Sequence, residues 1–135
     1  SDNEDAASIG EFISATVISA NAVSLTNNVA ANVTSISLTA GDWDVSGIVN
    51  YNVAATTTFG YLKQGISTTS ATQGSQDQYT QETPEDSNSG NLIALPTPVV
   101  RLSLGATTTV YLVTTSGFAV STNAAFGFIR ARRVR

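Results

Sequence analysis

Histidine, cysteine and methionine are all absent from this chain of 135 residues. Without His there is no side chain whose ordinary pKa lies near neutral pH, and without Cys there is no thiolate, no disulfide and no zinc–thiolate site. A Ser or Thr nucleophile would have only one lysine, Lys63, to serve as its base. We therefore expect a protein that is not an enzyme and that binds no cofactor and no catalytic metal.

Charge is also scarce, since only 12% of the residues are charged and the formal net charge is −4. Nucleic-acid binding usually needs a basic surface, so no nucleic-acid partner is expected. No apolar run approaches the roughly 18 residues that a membrane span requires, so membrane insertion is not expected either. A chain with few charges can bury part of its surface against copies of itself, which favours a homo-oligomer.

Serine and threonine make up about a quarter of the chain and alternate with aliphatic and aromatic residues. Such alternation predicts β-strands. The clearest case is 43–53, where Trp43, Val45 and Tyr51 share one face. Strands are predicted at 11–19, 22–26, 32–39, 43–53, 56–66, 92–95, 99–104, 107–114, 118–121 and 124–134, with a break at Ser116-Gly117. We therefore predict an all-β fold, a single-domain antiparallel β-sandwich of about eight to ten strands.

Two segments depart from this pattern. Residues 1–8 are small and acidic and are predicted to form a flexible N-terminal arm before a domain over 9–135. Residues 67–91 are polar and have little to bury, which is typical of a functional loop. Part of that loop, near 76–81, can pair as an edge strand, and Tyr79 within it is a candidate contact for a partner.

The two ends of the chain carry opposite charge. The arm contains Asp2, Glu4 and Asp5, and the last six residues contain Arg130, Arg132, Arg133 and Arg135. Arginine binds carboxylates with two parallel hydrogen bonds, so these residues are candidate interface groups that meet each other or another subunit. The alternative is that both ends are solvated and that the C-terminal residues fray. In the last strand, Phe126 and Phe128 are expected to be buried and the arginines to form a basic end.

Other acidic groups support weaker alternatives. Asp42 and Asp44 flank Trp43, but a glycosidase needs two carboxylates that face each other across a sugar, and two on one strand more often make turn hydrogen bonds. Glu82, Glu85 and Asp86 could bind Ca²⁺, although their spacing does not match an EF-hand loop.

Three segments resemble a family of small structural proteins of tailed bacteriophages and prophages. They are 35–51 (SISLTAGDWDVSGIVNY), 107–113 (TTTVYLV) and 124–135 (AAFGFIRARRVR), and 9–16 (IGEFISAT) fits as well. The family is similar in outline to the jelly rolls of tumour necrosis factor and complement C1q, with the pattern L-x-x-G-x-W-x-V-x-G early in the chain and an aromatic–Gly–aromatic strand late. The matching residues are Leu38, Gly41, Trp43, Val45 and Gly47 for the first motif and Phe126, Gly127 and Phe128 for the second.

This resemblance implies a jelly roll that assembles as a homotrimer. It implies a structural virion protein on the capsid exterior, a decoration or cement protein that binds the major capsid protein and stabilises the assembled shell. The alternative is the head domain of a tail fibre or spike at the tail tip, which would bind a bacterial surface receptor through the 67–91 loop.

Overall fold

The structure, a computed structural model, describes residues 8–85 and 92–135, and these residues form two antiparallel sheets packed face to face. The first sheet has six strands: β1 (Phe12–Val17), β2 (Val23–Ser24), β4 (Gly41–Val53), β7 (Leu92–Pro96), β8 (Val100–Leu104) and β10 (Asn123–Arg133). The second has four: β3 (Ala31–Leu38), β5 (Thr58–Ser67), β6 (Tyr79–Glu82) and β9 (Thr108–Ala119). The predicted all-β antiparallel sandwich is confirmed, while the jelly-roll connectivity stays a prediction.

The six-stranded sheet is built around two long neighbours, β4 and β10. Strand β10 pairs with β4 along its whole length, from Asn123 opposite Val53 to Arg133 opposite Trp43. The other edge of β4 pairs with β8 near its start and with β7 near its end, and β10 pairs with β1 and β2. The four-stranded sheet has the order β3-β9-β5-β6. The pairing register therefore fixes which side chains are neighbours on the outer face of the six-stranded sheet.

The core lies between the two sheets and follows the predicted alternation of β4. Trp43, Val45, Val49 and Tyr51 are fully buried, and the residues between them are only partly covered. Opposite them lie Leu62, Ile66, Val110 and Leu112 from the second sheet, all without solvent exposure. Burial of this kind stabilises the fold by roughly 25 cal/mol for each Å² of apolar surface removed from water.

A polar network joins the two sheets; it is buried at Tyr51, Gln64 and Thr114 and continues to the partly exposed Thr80. The Tyr51 hydroxyl donates to Gln64 Oε1 at 2.7 Å and lies 2.7 Å from Thr114 Oγ1. Gln64 Nε2 donates to the Thr80 carbonyl at 3.1 Å and to Thr80 Oγ1 at 2.6 Å, and Thr80 Oγ1 donates to the Pro96 carbonyl at 2.6 Å. Because its members pair with one another, the network adds specificity to the sheet packing without an unpaired buried group.

One predicted boundary is wrong. The break expected at Ser116-Gly117 does not occur, because β9 continues through both residues to Ala119. Gly117 lies opposite Tyr61, whose ring occupies the space where a side chain at Gly117 would stand. The glycine there accommodates an aromatic ring inside a continuous strand and does not mark a turn.

The structure describes the predicted polar loop 67–91 over residues 67–85. It contains a short 3₁₀ helix, Gln76–Gln78, and the edge strand β6, which pairs with β5 as expected for that segment. Gln73 Nε2 donates to Thr115 Oγ1 at 3.2 Å, so the chain crosses the outer face of the four-stranded sheet. Val113, which points to that outer face, is fully buried beneath it. The part of the loop around Gln73 therefore covers the outer face of this sheet.

Candidate interaction surface

The outer face of the six-stranded sheet carries most of the C-terminal aromatic and arginine side chains that the sequence analysis singled out. In β10 the inner face carries Asn123, Ala125, Gly127, Ile129, Ala131 and Arg133, and Phe126, Phe128, Arg130 and Arg132 point outwards. The expectation that Phe126 and Phe128 are buried is wrong, because both remain partly exposed on the outer face. The large side chains of β4 and the second sheet fill most of the core, so β10 contributes Ala125, Gly127 and Ala131 there beside the larger Ile129.

One end of this face is densely charged. We call it the charged end; it consists of Asp42, Asp44, Arg101, Arg130, Arg132 and Arg135. Strand pairing brings these side chains together, since Arg132 on β10 lies opposite Asp44 on β4, and Asp44 lies opposite Arg101 on β8. Residues that are far apart in sequence thereby form one row across three strands.

Both carboxylates of the charged end are engaged with arginines. Arg101 binds Asp44 through Nε–Oδ1 at 2.6 Å and Nη2–Oδ2 at 3.3 Å, and this hydrogen bond raises the pKa of Arg101. Arg135 Nη2 lies 3.1 Å from Asp42 Oδ2. The hydrogen bond from the Ser103 hydroxyl, helped by Arg135 and Arg101, lowers the pKa of Asp42. Asp42 and Asp44 therefore serve as charged ion-pair partners on one strand.

The other two arginines of the charged end lie against aromatic rings. The guanidinium carbon of Arg130 is 5.3 Å from the centroid of the Phe128 ring, and that of Arg132 is 5.2 Å from the centroid of Phe12. Arg132 Nη1 also donates to the Gly10 carbonyl at 3.0 Å. Within residues 8–85 and 92–135, no carboxylate lies within ion-pair distance of either. Stacking holds each guanidinium while leaving N–H groups for an incoming anion.

These two arginines border a cleft of about 240 Å³. Its lining is completed by Phe12, Asp44, Ser46, Val99 and Ala131, and Val99 is 69% exposed. The cleft thus combines two guanidiniums with an apolar wall. Its chemistry suits a carboxylate-bearing segment, because arginine binds carboxylates in a bidentate manner.

Arg133, which the sequence grouped with the other terminal arginines, is buried and cannot reach a partner. Its Nε donates to Glu11 Oε1 at 3.1 Å and its Nη1 to the Ala40 carbonyl at 2.7 Å. Nη2 hydrogen-bonds the Thr39 hydroxyl, and the guanidinium carbon lies 4.3 Å from the centroid of the Trp43 ring. The interface role expected for Arg133 is therefore replaced by a structural one, in which it ties the start of β1 to the end of β10.

Of the other residues predicted to contact a partner, the structure describes only Tyr79. Asp2, Glu4 and Asp5 lie outside the described residues. Tyr79 does not project from a free loop, because it begins β6 opposite Gly65 and its ring centroid is 4.5 Å from Lys63 Nζ. Lys63 is 6.0 Å from the centroid of the Tyr61 ring on its other side. Tyr79 therefore covers the four-stranded sheet and is half-buried.

Sequence reasoning missed a second concave surface, the aromatic groove, lined by Asn27, Asn28, Thr58, Phe59, Gly60, Tyr61, Gly117, Phe118 and Ala119, with a volume of about 290 Å³. Its three aromatic residues come from β5 and β9, whose pairing register shifts between Phe59 and Tyr61. Asn27 Oδ1 accepts the Phe118 N–H at 2.7 Å. No local signal could reveal it, since long-range pairing brings the three segments together.

Strained backbone lies next to this groove. Val120 has φ +77° and is 78% exposed, and the Ser121 N–H donates to the Ala119 carbonyl at 3.0 Å. This is a γ-turn with a β-branched residue in the left-handed region, which costs of order 1–3 kcal/mol. The turn displays an apolar side chain at the end of the sandwich.

Comparison with protein-family models, curated proteins and solved structures gives no match. Within the described ranges, no group of three or more acidic side chains has the arrangement of a metal site. None of the described segments forms a helix with the length and hydropathy needed to cross a membrane.

Proposed function

We propose that this chain is a structural binding protein that docks on another protein through the charged end of its six-stranded sheet. The observation that carries this proposal is the pair Arg130 and Arg132, two guanidiniums held on aromatic rings beside an open cleft. A sheet locked by register presents both groups at fixed positions, so few degrees of freedom are lost on binding. Partly exposed Phe126 and Phe128 extend the same face with apolar area.

The partner that the sequence resemblance favours is the capsid of a tailed bacteriophage. In this proposal the chain is a decoration protein on the capsid exterior, assembles as a homotrimer and contacts the major capsid protein. A ligand that binds only the assembled shell stabilises it by RT ln(1 + [L]/Kd). Several linked copies strengthen attachment through avidity.

Co-sedimentation with empty shells of the phage that encodes the chain tests this function. The double variant Arg130→Gln, Arg132→Gln keeps a polar side chain at each position but shortens it and removes the charge. Hydrogen bonds to charged groups contribute about 1.5–3 kcal/mol each, so the apparent Kd should rise at least about tenfold. Lys63→Gln, on the other sheet, is the matched control and should bind like the unmodified chain. Equal binding of the double variant and the control would show that the charged end is not the surface that binds the shell.

The predicted trimer is tested separately by native mass spectrometry of the free protein. We expect the mass of three chains, because the resemblance implies threefold assembly. A single-chain mass at all micromolar concentrations would contradict the homotrimer but would leave docking through the charged end open to the co-sedimentation test.

A receptor-binding head of a tail fibre is the second candidate, and the aromatic groove favours it. Phe59, Tyr61 and Phe118 there lie beside two asparagines, and amphipathic concave surfaces with aromatic walls are typical of ligand sites. Electron microscopy of antibody-labelled particles separates the two candidates. Label on the head shell supports decoration, and label at the tail tip supports the receptor-binding head.

A further inference from the structure

The aromatic groove offers a ligand three aromatic rings and no charged group. Phe59, Tyr61 and Phe118 supply the rings, and the other lining residues are asparagine, threonine, glycine and alanine. None of these described side chains is ionised at neutral pH. An ion would lose hydration in the groove without gaining a counter-charge, so the lining favours a neutral ligand.

Two glycines shape the space between the rings. A Cβ at Gly117 would lie 2.5 Å from Tyr61 Cε1, so the Tyr61 ring lies directly against the backbone of β9. Gly60 is exposed, and a Cβ there would approach only the Gly117 backbone, at 3.6 Å, among the described atoms outside its own chain neighbours. That distance is an ordinary van der Waals contact. A larger residue at Gly60 would therefore occupy the groove without straining the strand.

Two asparagines hold their amides at the edge of the groove through hydrogen bonds to β9. Asn27 Oδ1 accepts the Phe118 N–H at 2.7 Å, and the Asn28 N–H donates to the Ser116 carbonyl at 2.8 Å. The bond to Oδ1 fixes the Asn27 amide and leaves both N–H donors of Nδ2 without a partner among the described residues. Asn28 Oδ1 lies 3.1 Å from the position of a Cβ at Gly117. Donors and acceptors thus border the rings.

A saccharide has the chemistry that this combination recognises. Its ring has an apolar C–H face and an edge of hydroxyl groups, each of which both donates and accepts hydrogen bonds. The face of an aromatic ring carries the negative part of its quadrupole, which attracts polarised C–H groups. The volume of about 290 Å³ is close to the lower end of the range for small-molecule sites, which suits a ligand of few sugar rings.

A proline-rich peptide is the other ligand that aromatic grooves commonly bind. Its prolines present carbonyl acceptors and no N–H donor. Such a peptide would use the Nδ2 donors of Asn27 but would leave the acceptor Asn28 Oδ1 without a partner. The presence of both kinds of polar group therefore favours the saccharide.

We propose that the aromatic groove binds a neutral saccharide, whose ring packs against Tyr61 and Phe118 and whose hydroxyls bond the amides of Asn27 and Asn28. The proposal names a ligand class for the receptor-binding head and rests on that second candidate function for its biological setting. It is independent of docking through the charged end.

Amide NMR of the full chain during ligand titration tests the site. The probes are short neutral oligosaccharides of glucose, galactose, mannose, rhamnose and N-acetylglucosamine, and decaproline is the peptide probe. At least one oligosaccharide should shift the Nδ2 resonances of Asn27 and the backbone N–H resonance of Phe118 in a saturable way. Decaproline should shift neither.

Two variants with matched controls link the response to the groove. Asn27→Asp keeps the oxygen that accepts the Phe118 N–H and removes both amide donors, so the apparent Kd should rise about tenfold. Gly60→Val fills the groove and should abolish binding. Asn50→Asp, on the outer face of the six-stranded sheet, and Gly105→Val, between β8 and β9, make the same changes elsewhere and should bind like the unmodified chain. Thermal unfolding checks the fold of each variant, and Asn27→Asp keeps the test decisive if Gly60→Val does not fold.

Three results would overturn the proposal. They are no shift of the Asn27 and Phe118 resonances with any oligosaccharide, equal affinities of Asn27→Asp and the unmodified chain, and saturable binding of decaproline alone, which would assign the groove to a peptide. The antibody-labelling experiment separates this failure from that of the candidate function. Label at the tail tip without saccharide binding would reject the ligand class and keep the receptor-binding head. Saccharide binding with label on the head shell would keep the ligand class and reject the head.

Discussion

Tyr51 illustrates at the scale of single residues how a polar group is used inside this core. Its side chain has no solvent exposure, and its hydroxyl joins Gln64 and Thr114 of the opposite sheet. The alternation of β4 predicted that Tyr51 faces the core. It could not predict the partners, because these lie on β5 and β9 and are selected by the way the sheets stack.

The first prediction concerns Tyr51→Phe. The substitution leaves Gln64 Oε1 buried without a donor, so the free energy of unfolding should fall by about 1–3 kcal/mol. Urea unfolding measures this loss as a lower midpoint with an unchanged m-value. Tyr111→Phe is the control, because Tyr111 is only partly buried and its hydroxyl has no hydrogen bond within the described part of the chain. Equal losses in the two variants would contradict the role of the network.

Arg133 shows, also at the scale of single residues, that residue type alone does not predict which arginine is exposed. Four arginines close to one another suggested a single basic surface, yet the period of two along β10 separates Arg133 from Arg130 and Arg132. Its burial beside Glu11 requires a charged partner at the start of β1. A buried arginine without that partner would be strongly destabilising, so the pair acts as a unit.

Strand β10 is the element on which most of the molecule depends, since it pairs with β1, β2 and β4. Its centre is Gly127, which has φ +145° and no space for a side chain. A Cβ there would lie against the Ile48 carbonyl, closer than van der Waals contact. The glycine lets the backbones of β10 and β4 approach while β10 takes a conformation that other residues avoid.

The second prediction is that Gly127→Ala destabilises the fold by about 3 kcal/mol or more, because backbone strain and a steric clash add. Thermal unfolding followed by circular dichroism measures the effect. Gly105→Ala is the control, since no described atom lies within 4 Å of a Cβ at that position, and its effect should stay within about 1 kcal/mol. A small effect at Gly127 would contradict this prediction, because it would show that β4 and β10 can move apart there with little loss of stability.

Strand prediction was most accurate for β4 and β10, where a regular alternation continues over many residues. It is wrong for β9, where a break is predicted at Ser116-Gly117 and the strand continues. Local patterns report which face of a strand is apolar. They do not report whether a distant segment, such as the one containing Gln73, covers the outer face.

At the scale of the whole molecule, the absence of His and Cys determines how stability responds to pH. No side chain in the sequence has an ordinary pKa between those of the carboxylic acids and tyrosine, so folding should release or bind few side-chain protons near neutrality. Two groups set the limits of the pH range over which the free energy of unfolding stays constant. Burial raises the pKa of Tyr51, and the hydrogen bond from Ser103 lowers the pKa of Asp42.

The third prediction is a flat free energy of unfolding from about pH 5.5 to about pH 9. Above about pH 10 the unfolded chain loses the Tyr51 proton while the folded chain retains it, so stability falls. Below about pH 4 the unfolded chain protonates Asp42 before the folded chain does, so stability also falls. Urea titrations at a series of pH values measure both limbs.

Tyr51→Phe supplies the control for the alkaline limb, which should become shallower in that variant. A marked slope between pH 6 and pH 8 in the unmodified chain would contradict the plateau. An alkaline limb of equal steepness in the variant would assign the loss of stability to other groups.

The amino-acid sequence by itself determined the class of fold and the exclusion of thiolate and imidazole chemistry, because alternation and composition are properties that neighbouring residues express locally. Only the tertiary structure decided that Arg132, Asp44 and Arg101 form one row, that Arg133 is buried, and that three distant segments enclose the aromatic groove. The physical reason is register. The pairing of strands far apart in sequence is selected by packing in the core as a whole, and a shift of one residue would exchange the buried and exposed faces.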